Sequence, residues 1–266
     1  IDHLRTFMRK EYNVSDMPLA ELEQSFIEQY HVYLKSDLGL KPTTVSGYLK
    51  CLKYVVKIAF NNGWIPRNPF SFYQYTAPNP DRTFLTEDEL RRMMTTELRY
   101  KRQDYNRDMF LFSCFTGICY ADMASLTYDR IEQDAQGEWW ISGNRQKTET
   151  KYVVKLLPYA LFILNKYRGL TGDGRVFAMS TLDSIDDSLK NIARECGIDK
   201  QLSFHLARHT YATTICLSNG VSLETLSKML GHKNITTTQI YAKVTPPMID
   251  REVTMLREKL ATKFSV

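Results

Sequence analysis

A chain of 266 residues with 43% apolar side chains is long enough for two ordinary domains and apolar enough to bury a core. Its 35 Lys and Arg against 30 Asp and Glu leave a formal charge of +5, which allows a polyanionic partner without demanding one. No apolar run approaches the roughly 18 residues that span a bilayer and no charged-then-apolar leader opens the chain, while five scattered cysteines (Cys51, Cys114, Cys119, Cys196, Cys216) argue against a disulfide framework or zinc site and suit a reducing cytosol.

The chain starts without Met, directly in helix-like sequence, as expected of a fragment whose first domain is missing. Apolar periodicity predicts helices over about Leu19 to Leu38 and Thr43 to Asn62, separated by Leu38-Gly-Leu-Lys-Pro42. Thr43 and Thr44 are the candidate caps of the second helix, and Asn62-Gly63 its left-handed stop. Pro66, Pro69, Pro78 and Pro80 then punctuate irregular chain, and residues 77–82 form the expected linker, because closely spaced prolines resist helix and sheet alike. Thr86-Glu-Asp-Glu89 reads as a capping box opening a second domain, with a helix toward Tyr100. Short β-like runs follow over Arg130 to Gln133, Trp139 to Ser142 and Tyr152 to Leu156, with Gly137 and Gly143-Asn144 as turns. Helices resume over Asp183 to Cys196, Ala207 to Asn219 and Leu223 to Leu230. The fold class is therefore mainly α with a small antiparallel β-sheet, in two domains over 1–76 and 83–266.

Three of the five histidines gather near the C-terminus, in His205-Leu-Ala-Arg208-His209 and Leu230-Gly231-His232, and Tyr241 follows nine residues after the last. Alone, a helical histidine is usually packed or solvated, and one tyrosine among sixteen is by default a core or interface ring. Taken together and in order, His205-x-x-Arg208, Leu230-Gly231-His232 and Tyr241 resemble the tyrosine recombinases, the phage integrase family. The resemblance extends to Thr83-Phe-Leu-Thr-Glu-Asp-Glu-Leu90, to Thr116-Gly117-Ile118-Cys119-Tyr120-Ala121-Asp122, and to Lys147 in Asn144-Arg-Gln-Lys147-Thr at the end of the Trp139 strand. It implies a helical core-binding domain followed by a catalytic domain. The implied activity is site-specific DNA cleavage and rejoining through a 3′-phosphotyrosyl intermediate on Tyr241.

Attack on a phosphodiester builds negative charge on two nonbridging oxygens, and a guanidinium meets it with a permanently charged, bidentate fork. Arg208 is the first choice for that role. His205 and His232 can donate to the phosphate or exchange a proton with the phenol, whose ordinary pKa is about 10; His205 is assigned as base. By resemblance Lys147 protonates the leaving 5′ oxygen; its other reading is a solvated turn lysine. No acidic cluster has metal-ligand spacing, so neither metal, other cofactor nor ATP is expected.

The family pattern has an arginine where Cys119 stands, three residues before Asp122. Arg145 and Arg130 are the candidate replacements. Arg145 is preferred because strand alternation would put it on the same face as Lys147, whereas Arg130 would lie on the preceding strand. Loss of that arginine also keeps open a DNA-binding protein that has lost the reaction, and a topoisomerase-like enzyme is a third reading.

Lys50, Lys53 and Lys57 recur at helical spacing beside Lys41, Thr43, Thr44 and Ser46, a stripe suited to a phosphate backbone. The two domains would then clamp double-stranded DNA. After Pro246-Pro247, Ile249, Val253, Leu256 and Leu260 share one helical face over about 247–261. The resemblance implies that this helix docks on a neighbouring protomer of a homotetramer on DNA. It also implies bending or directionality factors and a bacterial, nucleoid-associated cytoplasmic enzyme. The Cys119 departure and the missing N-terminus suggest the integrase of a mobile element such as a conjugative transposon.

Overall fold

The computed structural model describes residues 1–78, 83–241 and 246–263, and no side chain is described at 246–248, 251 or 262. From residue 79 on, the expected linker lies outside the described residues. The chain divides between residues 81 and 82 into two compact units. It is helix-rich with one three-stranded antiparallel sheet, as the sequence pattern predicts. Among the described residues no helix is long and apolar enough to cross a membrane.

The first unit packs α1 (Asp2–Tyr12), α2 (Gln24–Val32) and α3 (Pro42–Asn61) around an aromatic core in which Phe7 sits 5.3 Å from Phe26 and 5.1 Å from Tyr30 between ring centres. The single helix expected over Leu19 to Leu38 is broken. Leu19–Glu21 makes one tight turn, Leu22 takes an extended backbone with its side chain buried, and only then does α2 begin, prolonged by a wide turn over Tyr33–Asp37. Thr43 and Thr44 do not cap α3. Pro42 occupies the first helical position, where its fixed φ suits the helix and its missing N–H leaves no partner wanting, and this pushes the cap back to Lys41. Gly63 supplies the expected left-handed stop with φ 71°.

In the second unit Thr86 and Glu89 form the expected reciprocal cap of α4 (Glu87–Thr95). That helix stops short of Tyr100, and its last hydroxyls, on Thr95 and Thr96, bond back to the Arg91 and Arg92 carbonyls. The next helix, α5 (Lys101–Thr116), gives no clear periodic signal because its C-terminal half is buried on nearly every side, from Asp108 through Cys114. It packs against α7 (Pro158–Lys166), α8 (Leu182–Glu195) and α9 (Phe204–Thr210) and so forms the axis of the unit.

Strands β1 (Ile131–Gln133), β2 (Trp139–Asn144) and β3 (Lys151–Lys155) pair in chain order. Gly143-Asn144 is not the turn. Strand β2 runs through both residues, Gly143 faces Tyr152 across the ladder, and a Cβ on Gly143 would lie 2.9 Å from the Tyr152 hydroxyl oxygen. Glycine serves there to admit the ring, and the reversal falls instead on 145–150.

Candidate active site

Helix α9 continues through Tyr211–Cys216 to Asn219, so the helix expected from Ala207 starts earlier, at Phe204. His205 and Arg208 therefore sit one turn apart, with His205 exposed and Arg208 only 3% exposed. Arg208 donates through Nη1 to the Gly117 carbonyl (2.7 Å), and through Nη2 to the Leu230 carbonyl (2.6 Å) and His232 Nε2 (2.9 Å). Gly117 ends α5 at φ 71°, and any Cβ there would meet the Tyr211 ring at 2.4 Å. Burial, and then the nearby Arg145 charge, draw the Arg208 pKa down, while Tyr241 opposes them through charge and a side-chain hydrogen bond. A guanidinium is basic enough that it remains a cation near neutrality all the same.

The Leu230-Gly231-His232 turn follows α10 (Leu223–Met229). Gly231 has φ 63°, and a Cβ on it would approach Arg145 Cγ to 3.0 Å and Tyr152 Cβ to 3.1 Å. This glycine lets the turn lie against the β2–β3 hairpin. Arg145 Nη1 consequently reaches the Leu230 carbonyl at 3.0 Å, the same oxygen that Arg208 grips. Its Nε lies 2.9 Å from Asp122 Oδ2 but its N–H is angled away, so charge rather than a hydrogen bond holds the pair. Asp122, 2% exposed in the short helix α6 (Tyr120–Ala124), also accepts from the Gln146 backbone N–H and the Cys119 thiol, each at 2.9 Å. Burial and this carboxylate push the Cys119 pKa up, which keeps it a thiol.

Lys147 is exposed in the turn, not at a strand end, so alternation along a strand does not relate it to Arg145. Both nevertheless line one open cavity of about 600 Å³, together with His205, Arg208, His232, Lys233 and Tyr241, and among the described residues no carboxylate lines it. Arg130 lies in a tight turn before β1 and is not part of that lining.

Tyr241 follows α11 (Thr236–Gln239) and is 4% exposed, packed in a cluster with Tyr211, Leu226 and Leu230. Its ring stands edge-on to His209 (4.9 Å) and parallel to His232 (6.2 Å, 7° between planes). His232 Nδ1 lies 2.7 Å from Thr238 Oγ1. Burial first, then the Arg208 and Arg145 charges, lower the His232 pKa to about 4.

In the first unit Lys50, Lys53 and Lys57 line a separate groove of about 330 Å³ with Tyr54, Tyr73 and Tyr75, while Lys41, Thr43 and Thr44 are exposed at the start of α3. Lys53 is half-buried and donates to the Tyr73 carbonyl, and Ser46, expected beside the DNA, is buried at 6% exposure. Sequence reasoning missed Lys233, Thr238 and the groove tyrosines. Lys233 directly follows the glycine-histidine pair and Thr238 precedes Tyr241 by one turn, so both were within reach of spacing arguments; Tyr73 and Tyr75 sit in irregular chain that carries no periodic signal. Among the described residues no group of three or more His, Cys, Asp or Glu could hold a metal ion.

A family model described as the phage integrase family matches residues 83–247, and one described as a phage integrase SAM-like domain matches residues 1–76. The tyrosine recombinase XerD of Oceanobacillus iheyensis is 25% identical over 231 residues, covering 80% of this chain and 75% of its own. Two solved structures share the fold. The Tn1549 transposon integrase in complex with a circular intermediate DNA has a TM-score of 0.69 at 17% identity, covering 96% of this chain and 98% of its own. The XerH site-specific recombinase bound to a palindromic difH substrate has a TM-score of 0.71 at 17% identity, covering 93% and 76%.

Proposed function

Because the chain belongs to the phage integrase family of tyrosine recombinases, we propose that it cleaves and rejoins DNA strands at specific sites through a covalent link to Tyr241. The observation that carries this reading is the convergence of Tyr241, Arg208, Arg145, Lys147, His205 and His232 on one cavity that is lined by cations and, among the described residues, by no carboxylate. Such a cavity suits the charge that grows on a phosphate in the transition state.

The Tyr241 oxygen attacks phosphorus as the P–O5′ bond breaks, leaving a 3′-phosphotyrosyl link and a free 5′ hydroxyl. His205, at the exposed side of the cavity, takes the phenol proton, and Lys147 protonates the departing oxygen. Attack by a 5′ hydroxyl from another strand reverses the step, and no ATP is consumed because the ester's energy is conserved in the tyrosyl link. Arg208 and Arg145 grip the nonbridging oxygens, Arg145 in place of the arginine that Cys119 displaces. The support for Arg145 is its ion pair with Asp122 and its sharing of the Leu230 carbonyl with Arg208. The same arrangement favours an active enzyme over a silent DNA-binding relative.

The α3 stripe holds double-stranded DNA by its backbone. The exposed Ile249, Val253, Leu256 and Leu260 of α12 (Pro246–Lys263) dock on a second copy in a tetramer. The departure at Cys119 belongs to the reading that this is a mobile-element integrase.

The test is a denaturing gel with a phosphorothiolate substrate carrying a cognate site, comparing the natural chain with Tyr241→Phe. A covalent protein–DNA species in the first and not the second is expected. DNA binding by both without any adduct would overturn the enzymatic reading.

A further inference from the structure

Thr238 is fully buried, at 0% exposure, in a four-residue helix, and each of its polar groups is engaged. Its carbonyl accepts the Tyr241 backbone N–H at 2.9 Å, its own N–H donates to the Ile235 carbonyl at 2.7 Å, and its hydroxyl oxygen lies 2.7 Å from His232 Nδ1. On the opposite side of the imidazole, His232 Nε2 lies 2.9 Å from Arg208 Nη2. A guanidinium has donors only, so Nε2 must present its lone pair. The single proton of the neutral ring is then on Nδ1, and Thr238 Oγ1 accepts it.

We infer that Thr238 is a positioning residue that fixes the tautomer of His232 and couples it to the backbone of Tyr241. One residue thereby sets two things. Its hydroxyl keeps Nε2 bare and turned toward Arg208, and its carbonyl anchors the turn that delivers the phenol to the same cavity. This role deepens the strand-transfer reading and rests on it for its catalytic consequence, although the hydrogen-bond pattern itself does not.

The groups facing His232 act in the same direction. Arg208 from α9 and Arg145 from the hairpin oppose a second proton on the ring, as does burial, and Tyr241 stacks on its face. Lys147, Lys233 and His205 line the cavity beyond them. The ring is therefore held as an acceptor toward Arg208 until a phosphate competes for the guanidinium. Without the Thr238 hydroxyl the Nδ1 proton loses its acceptor on this helix, which favours its transfer to Nε2 at the expense of the 2.9 Å contact with Arg208, because two donors cannot share it.

The experiment uses the full chain, labelled with ¹⁵N, in three forms: natural, Thr238→Val, which keeps the shape and removes the hydroxyl, and Thr238→Ser, which keeps it. His232→Gln identifies the ring signals. The natural chain and Thr238→Ser should show a protonated Nδ1 and a bare Nε2 at neutral pH. Thr238→Val should move the proton toward Nε2, and cleavage of the phosphorothiolate substrate should slow about 10-fold or more with an altered acidic limb, rescued in Thr238→Ser. A Thr238→Val chain that keeps the natural tautomer, cleavage rate and pH profile overturns the proposal. The ring signals are read without DNA, so a natural chain that forms no adduct would remove the strand-transfer reading while the tautomer result still decides the role of Thr238.

Discussion

Lys50 and Lys57 stand exposed on α3, whereas Arg208 is 3% exposed and bonded to two backbone carbonyls and an imidazole. Both surfaces are cationic, but they hold their charge in opposite ways. A lysine on a flexible stem can follow a phosphate along the backbone and loses its grip as salt rises. A guanidinium fixed by the Gly117 and Leu230 carbonyls cannot follow anything, and on the proposed mechanism it is already placed where charge develops and needs no reorganisation. On the proposed function the difference separates holding DNA from acting on it, and each surface should be breakable without the other.

The sharpest break falls on the fixed side. If Arg145 has taken over from the arginine absent at Cys119, Arg145→Ala should lower cleavage about 10²–10³-fold, measured as the rate of adduct formation under single-turnover conditions, with DNA binding little changed. Arg130→Ala should stay within about 2-fold, since Arg130 does not line the cavity. Equal losses in the two variants would remove Arg145 from the phosphate.

How much of this contrast is legible in the sequence follows from where each residue sits. His205-x-x-Arg208 is one short run and Gly231-His232 with Tyr241 nine residues on is another, each beside a helix end, so each pattern survives in one dimension. The alliance of Arg145 with Asp122 does not: it joins residues 23 apart through a turn, and the strand alternation that favours Arg145 on sequence grounds is absent there. Gly143 misleads for a related reason. Glycine followed by asparagine normally marks a turn, and only the Tyr152 ring opposite explains why a glycine is needed in mid-strand. Helix α5 is hidden because a helix buried on nearly every side of its second half has no polar face to give a period.

A second break tests the fixed surface through its stability. The ordinary His232 pKa of about 6.5 falls to about 4 on folding, so between those values the unfolded chain binds more protons than the native one. The stabilisation from the neutral ring is complete above pH 6.5 and is lost progressively as the pH falls toward 4. Thermal melts of the natural chain and His232→Gln from pH 7 to 4 should diverge, the natural chain losing about 2 kcal/mol more over that range after allowance for solvent screening, or about 4–8 °C in midpoint. Carboxylates such as Glu89, whose pKa is lowered by its Lys200 partner against the effect of burial, act equally in both chains and cancel in the difference. Parallel melting curves would mean that His232 is not held neutral.

The smallest effect belongs to the exposed surface, and there the shape of the response matters more than its size. Lys50→Glu with Lys53→Glu should weaken binding to duplex DNA and flatten the plot of log affinity against log salt by about 2, roughly 0.9 for each phosphate no longer neutralised. The two positions are not equivalent. Lys53 already gives a hydrogen bond to the Tyr73 carbonyl and lies 5.8 Å over the Tyr73 ring, so reversing it also disturbs the groove, while Lys50 is exposed. Lys50→Glu alone should therefore change the slope by about 1 with no loss of thermal stability. Lys53→Glu should change the slope by the same amount and lower the melting midpoint as well. Single-turnover cleavage at saturating DNA should be unaltered in Lys50→Glu, because a solvated lysine contributes to occupancy and not to the barrier. A slower saturated rate in that variant would show that α3 helps to place the phosphate, and the division between holding and acting would fail.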